Sequence, residues 1–317
     1  MKTYKITFAA LCLAVLILTG CTKATNNTIA DPNAKQHNED VSNTKSESDN
    51  VNTDINTVLN GVSGFGKTDE TLGTINICGA TIDSSLQNAN PKTITIHFDG
   101  TTACGNPARI RGGDVKVELI HGNKWSDAGA VLKVTHTNYK VTFVNLNNHF
   151  VTFNGVKYLT NIDGFDWFGY ALSGNLTTHI KERTDGITVT FENGQTSVWN
   201  FARLSTWAVT GYSTITATVN GDTTMAGKTI DSWGVTRFGT NFTTEMITPW
   251  KSGTTCGWWR PTQGKYTSTT DNFSVTATCS VDQQGNVVSS GCGAYGYKIE
   301  WNYNNGTATG NAVIGYF

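Results

Sequence analysis

His97 and Asp99 stand two residues apart in a segment of alternating apolar and polar residues, which would place both on one face of a strand. An imidazole beside a carboxylate is half of a general acid–base site, although a solvated strand face accounts for the pair more simply. Asp163 and Asp166 precede Trp167, and paired carboxylates beside an aromatic ring are what glycoside hydrolysis uses. A turn rich in Asp and Gly explains them as well. The six histidines (His37, His97, His121, His136, His149 and His179) form no HxH or HExxH pair, and no GxSxG elbow occurs. No catalytic residue, metal or cofactor is therefore assigned. Among nine tryptophans, Trp258 and Trp259 are the one adjacent pair, and Arg260 follows them. Neighbours on a strand point to opposite faces, so one of these indoles would face outward, where it can stack on a sugar ring. Trp258, Trp259 and Arg260 are the candidate binding residues. Trp199, Trp207, Trp233 and Trp301 are assigned to the core.

The seven cysteines sort by position. Cys12 lies in an apolar leader. Cys21 follows Leu18-Thr19-Gly20, and this tetrapeptide resembles the bacterial lipobox, in which the cysteine thiol attacks a lipid carrier and becomes the acylated first residue. The other five would sit in an oxidising compartment where disulfides form. Cys78 and Cys104 flank the strand pattern at residues 93–99 and are expected to bridge. With Gln284-Gly285 as a hairpin turn, Cys279 and Cys292 become diagonal neighbours, roughly 7–8 Å apart at Cα, whereas a disulfide wants Cβ atoms about 3.8 Å apart. Cys256–Cys292 therefore ranks first, with Cys279 a buried free thiol, and a bulge in that hairpin would reverse the choice.

Residues 1–20 read as a lipoprotein signal peptide. Lys2 and Lys5 supply its positive start, and the apolar run at 6–18 is far shorter than the roughly 20 residues a membrane-crossing helix needs. Removing Lys2 and Lys5 takes the formal charge two units below the −1 of the whole chain, near neutrality, with no basic stripe for a nucleic acid. Residues 21–70 are rich in Asn, Thr, Ser and Asp, with no aromatic before Phe65, and read as the lipidated cysteine and a disordered tether. The expected partner at this end is a lipid bilayer, held through the acyl chains of Cys21. Thr22-Lys23-Ala24-Thr25 lacks the acidic residues that mark surface export in some Bacteroidetes-type lipoproteins, so the periplasmic face of the outer membrane is the expected location.

Residues 71–317 repeat a strand pattern. Ile94, Ile96 and Phe98 alternate with polar residues, as do Val115, Val117 and Leu119, then Tyr139, Val141 and Phe143, then Ile187, Val189 and Phe191. Asp99-Gly100, Asn154-Gly155, Asp163-Gly164, Asn193-Gly194, Asn220-Gly221, Gln284-Gly285 and Asn305-Gly306 supply turn chemistry. No convincing amphipathic helix stands out. The expected fold is all-β: an antiparallel β-sandwich, or two packed β units with a seam near 219–227. A transmembrane barrel fits less well, because the strands lack regular spans of about ten residues with an apolar outer band.

Cys78-Gly79-Ala80-Thr81-Ile82-Asp83, residues 93–100, Cys104 and residues 109–117 together resemble a family of uncharacterised Bacteroidetes lipoproteins. In that family a cysteine precedes an ITIDFG-like strand, a second cysteine follows, and a basic-Gly-hydrophobic strand comes next. Cys256-Gly257-Trp258-Trp259 and Gly291-Cys292 resemble its carboxy-terminal cysteine positions. His97 stands where an acid is usual, and Asn106-Pro107 where Asp-Gly is usual. The resemblance implies an envelope location and an all-β fold, and no reaction. Two readings stay open: a non-catalytic envelope protein that binds a glycan or an envelope protein or serves a structural role, and a carbohydrate-active hydrolase with carboxylates drawn from distant strands.

Overall fold

The computed structural model describes residues 32–62, 65, 76–105, 108–144, 148–165, 172–257, 260–289, 291–303, 306 and 308–316. One long helix, α1 (Pro32–Gly61), precedes sixteen strands. The first eight are β1 (Ala80–Asp83), β2 (Lys92–Cys104), β3 (Arg109–His121), β4 (Ala130–Phe143), β5 (His149–Asn161), β6 (Leu176–Thr184), β7 (Ile187–Phe191) and β8 (Thr196–Thr210). Then come β9 (Thr214–Gly221), β10 (Thr223–Met225), β11 (Lys228–Val235), β12 (Asn241–Gly253), β13 (Gln263–Thr270), β14 (Phe273–Val281), β15 (Gly296–Tyr303) and β16 (Ala308–Gly315). The antiparallel all-β fold is as the alternation predicts, with Ile94, Ile96, Val115, Val117, Tyr139, Val141, Val189 and Phe191 all buried.

The strands form one hydrogen-bonded sheet rather than two separately bonded layers, in the order β1-β2-β3-β4-β5-β6-β8-β11-β12-β13-β14-β15-β16. β7 fits beside β5 and β8, β9 beside β8 and β12, and β10 beside β11. No seam divides the chain at 219–227. β9 pairs with both β8 and β12, and β11 also joins β8 to β12, so hydrogen bonding runs unbroken across that stretch.

A line of irregularities bends this sheet. Registers shift at Asp99/Ala103, Gly112/Asp114 and His136/Tyr139 on successive strands. Asp99-Gly100 and Asn154-Gly155, read from sequence as turns, lie inside β2 and β5. At Gly155 strand β5 changes neighbour, from β7 through residues 151–154 to β6 through 157–161. A Cβ there would stand 3.0 Å from the Cα of Ile187, and at Gly113 one would stand 2.1 Å from the carbonyl oxygen of Asn138. The glycines thus mark where strands approach too closely for a side chain, and bulges at these points give the sheet its curl.

The curl encloses α1, which corrects the reading of residues 21–70 as a tether: within that range 32–61 is helix. Val41, Val51, Ile55, Val58 and Leu59 are buried on one face, whereas Glu39, Ser42, Asp49, Thr53 and Thr57 are exposed on the other. His37 packs against Trp199 of β8, Phe242 of β12 and Phe273 of β14. At the other end of the helix, Trp125 in the β3–β4 loop donates its backbone N–H to the carbonyl of Phe65 (3.1 Å) and its indole N–H to Asn56 (3.3 Å). The helix therefore runs from one end of the strands to the other.

Ion pairs fix it there. Lys45 meets Asp231 at 2.5 Å, Glu47 meets Arg109 at 3.0 Å, Asp54 meets Arg111, and Asp40 takes both the Nε (2.7 Å) and Nη2 (2.5 Å) of Arg237. Glu182 of β6 is a hub, accepting from Arg203 (2.7 Å), Ser48 (2.7 Å), Asn52 (3.4 Å) and Lys157 (3.4 Å). The buried charges of the helix thus meet opposite charges on the concave face, as burial requires, although His37 Nδ1 and Glu47 Oε2 find no hydrogen-bond partner among the described residues.

Two disulfides join Cys78 to Cys104 and Cys256 to Cys292, and Cys279 is free and buried. The pairing matches the sequence reading, but the register behind it differs. Cys279 lies opposite Tyr297 of β15, while the Asp282–Asn286 turn makes only one bridge, Val281 to Val287. Burial pushes the Cys279 thiol up to about 12. Native protein should therefore resist alkylation at Cys279, and reducing either bridge should cost about 2–4 kcal/mol. Mass mapping before and after denaturant, with urea unfolding under reductant, measures both. Rapid native labelling of Cys279 would refute its burial.

Candidate functional site

The sequence-derived candidates come together only in part. His97 hydrogen-bonds Asp114 across the β2–β3 pair at 2.7 Å rather than joining Asp99. Asp99 instead accepts from the Thr102 hydroxyl (2.5 Å) and the backbone N–H groups of Thr102 (2.9 Å) and Thr101 (2.7 Å), which hold its carboxyl down to about 2. Asp163 accepts from His179 at 2.6 Å and from its backbone N–H at 2.9 Å. His149 pairs with Glu192 at 2.9 Å. These pairs are exposed, stand on different strands, and bring no third group with them; among the described residues no cluster of three His, Cys, Asp or Glu could hold a metal. Asp166 and Trp167 lie outside the described residues, as do Cys21, Trp258 and Trp259.

Between helix and sheet lies a cavity with about 10 Å³ of room for the centre of a water-sized sphere. It is lined by Glu47, Ser48, His136, Tyr139 and Phe153, among others. That is about the space one water molecule needs, far below a substrate site. Burial lowers the His136 imidazole to about 3 and raises the Tyr139 hydroxyl, so neither group is ionised near neutrality.

The surface with the features of a site is one end of the strands. The connections at 84–91, 122–129, 162–175, 211–213, 254–262 and 282–295 all emerge there, as the antiparallel registers require. Neighbouring loops are tied together. Lys92 donates to the Asn123 carbonyl (2.7 Å), Phe165 to Ser126 (3.0 Å), Tyr212 to Gly174 (3.0 Å) and Ile215 to the Thr254 hydroxyl (3.0 Å). The Cys256–Cys292 bridge joins the last two loops, and Arg260 donates to the Cys292 carbonyl at 2.7 Å. Arg260 is thus a brace for these loops. The hydroxyl of Tyr316 donates to the Pro261 carbonyl (3.1 Å) and accepts from the Ser280 N–H (2.9 Å).

These braced loops carry exposed apolar side chains: Leu172 (71% exposed), Val287 (65%), Tyr212 (57%), Leu86 (55%) and Tyr295 (44%). Ile120 and Ile162 adjoin them. No large apolar side chain among the described residues is exposed in a loop at the opposite end. Comparison with known protein families, curated proteins and solved structures finds no match. The arrangement itself therefore carries the functional argument.

The loop-end carboxylates serve their own turns. Asp127 accepts the N–H groups of Asn123 and Lys124, both at 2.9 Å, and Asp282 those of Gln284 and Asn286, also at 2.9 Å. What remains on offer is mostly neutral, aliphatic and phenolic surface among Asn, Gln, Ser and Thr, with the exposed Lys124 as a charge on the 122–129 loop. Sequence reading put Trp258, Trp259 and Arg260 on a strand; Arg260 lies in a loop at this end, and the two tryptophans lie outside the described residues. The same reading missed Leu86, Leu172, Tyr212, Val287 and Tyr295, because they lie on separate loops far apart in the chain and only the sheet order brings them to one end.

Proposed function

We propose that this protein is a membrane-anchored cell-envelope lipoprotein of the outer membrane, whose β domain binds a neutral glycan at its loop end without catalysing a reaction. The observation that carries the reading is the gathering of exposed apolar and phenolic side chains on braced loops whose described carboxylates are tied into their own turns or to His179. Rings and aliphatic surface cover the C–H faces of sugars, amides and hydroxyls meet their OH groups, and a rigid site loses little entropy on binding. Exposed apolar surface concentrated at one end of a molecule is itself a mark of an interaction site. The lipobox at Cys21 supports the anchor. The outward side of the sheet carries charged side chains such as Glu118 on β3 and Lys133 on β4, unlike the lipid-facing band of a membrane barrel. A hydrolase has less support, since it needs two carboxyl groups converging within about 5–9 Å on one substrate, and the described loop-end carboxylates are engaged with their own backbone or with His179.

The test uses the Cys21→Ser chain, expected in the soluble fraction, against a panel of neutral glycans. Tyr212→Ser, Leu172→Ser and Trp258→Ala should each weaken binding roughly 5- to 30-fold, the range of an interface anchor, with little change in melting temperature. Replacements at His97 or His149, on the strands away from the loop end, should leave affinity unchanged. A panel that gives no binding, or binding indifferent to the loop-end changes, overturns the glycan reading. Membrane pelleting of Cys21→Ser after a high-salt wash overturns the anchor.

A further inference from the structure

We infer that the loop end is the membrane-distal end of the anchored protein, so that its glycan is presented by a surface other than the bilayer holding the anchor. The inference rests on acylation at Cys21 and on the loop end as the binding surface, and it adds where the ligand must stand.

The start of α1 fixes the geometry. Ala34 packs with Phe273 and Val275, and His37 lies among Trp199, Phe242 and Phe273. These residues belong to the ends of β8, β12 and β14 opposite the loops. Asp40 reaches Arg237 in the β11–β12 connection at that same end, and the Arg237 guanidinium covers Phe191 next to the β7–β8 turn. From there the helix runs 30 residues to Gly61 at the loop end, about 45 Å at 1.5 Å per residue. Along the sheet, Phe242 to Gly253 and Trp199 to Thr210 each cover eleven residue steps, about 36 Å at 3.3 Å per residue.

Cys21 precedes Pro32 by eleven steps. Fully extended, such a link spans at most about 36–40 Å, and as a flexible chain it averages about 17–20 Å. To bring the loop end onto its own bilayer, the link would have to run back along the whole strand length at its limiting extension. Left relaxed, it holds the helix-start end against the bilayer, and the loops stand roughly 36–45 Å farther out. The chemistry of the loops agrees. Their described basic residues are sparse, and two near the rim, Lys92 and Arg260, donate to backbone carbonyls. Anionic headgroups attract clusters of Lys and Arg, which these loops do not offer.

The experiment places a donor fluorophore, through an azide-bearing amino acid, at Ser213 in the loop end or at Asn193 in the β7–β8 turn. The acylated full-length protein is then reconstituted in vesicles of neutral phospholipid carrying an acceptor lipid. Energy transfer from position 193 should exceed that from position 213 several-fold. Equal or stronger transfer from 213, on protein shown by mass spectrometry to be acylated and vesicle-bound, overturns the orientation alone. Protein that carries no acyl group and stays off the vesicles overturns the anchor and this inference with it. Strong transfer from 193 alone, in a protein that binds no glycan, upholds the orientation and removes only the glycan reading.

Discussion

Replacing Glu182 by alanine should destabilise the protein by about 3–5 kcal/mol, the usual cost of removing one partner from a buried ion pair. Glu182 is buried and accepts from Arg203, Lys157, Ser48 and Asn52. Its carboxyl is held down to about 2; desolvation pushes it up, and the Arg203 and Lys157 charges outweigh that. Without it, two buried cations face each other with Asp49, 3.2 Å from Arg203, and the more distant Asp231 as the remaining counter-charges. The loss should fall on the helix–sheet contact first, because Ser48 and Asn52 are the residues by which α1 grips this hub. Urea unfolding measures the cost, and hydrogen exchange should show amides of 44–56 opening before those of β3 and β4. Adding Lys157→Met to Glu182→Ala should recover part of the stability, since it removes one stranded charge. A cost under about 1 kcal/mol would show that the hub is not what holds the helix.

Acidification should destabilise the protein well before its surface carboxylates titrate. Burial lowers His37 to about 4 and His136 to about 3, with the Lys45 charge adding to the first and Lys157 to the second. In the unfolded chain both imidazoles take up protons near 6.5. Below that pH the unfolded state binds more protons than the folded one, so stability is full above about 6.5 and falls as pH drops towards 4 and 3. At pH 5 each histidine should have removed about 2 kcal/mol, at 1.36 kcal/mol per pH unit. Asp40 works the other way. Burial raises its carboxyl to about 6 against the pull of Arg237, so it takes up a proton in the folded state first and returns about 1.3 kcal/mol by pH 5. From these three groups the net loss between pH 7 and pH 5 should be about 2.7 kcal/mol. His136→Gln should remove about 2 kcal/mol of that loss, whatever its effect on stability at pH 7. A variant whose melting temperature falls with acid as steeply as the wild type would show that His136 is not the buried proton acceptor.

The strands were legible because a half-buried strand writes its two faces into alternate residues. Ile94-x-Ile96-x-Phe98 is readable without knowing what covers the apolar face. The disulfides were legible because few cysteines remain once Cys12 and Cys21 are set aside, although the outcome at Cys279 rested on a hairpin register the chain does not adopt. The helix was obscured by its composition. Asn, Ser, Thr and Asp are weak helix formers, and an isolated segment of this kind is not stable in water. Val51, Ile55, Val58, Leu59 and Val62 do repeat at helical spacing, a sign that the polar residues around them outweighed. Its polar residues at His37, Asp40, Lys45, Glu47 and Ser48 read as solvated because their partners lie between 62 and 231 residues away.

By itself, then, the sequence determined the all-β class and the antiparallel sense. Each is written in neighbouring residues, where local backbone geometry or local chemistry imposes a spacing. Only the tertiary structure decided that the strands make one curled sheet, that residues 32–61 fill it as a helix, and that six separate loops meet at one end. Those depend on which strands pair, where bulges bend them, and whether distant charges can neutralise one another away from water, and none of these is a property of a short stretch of chain.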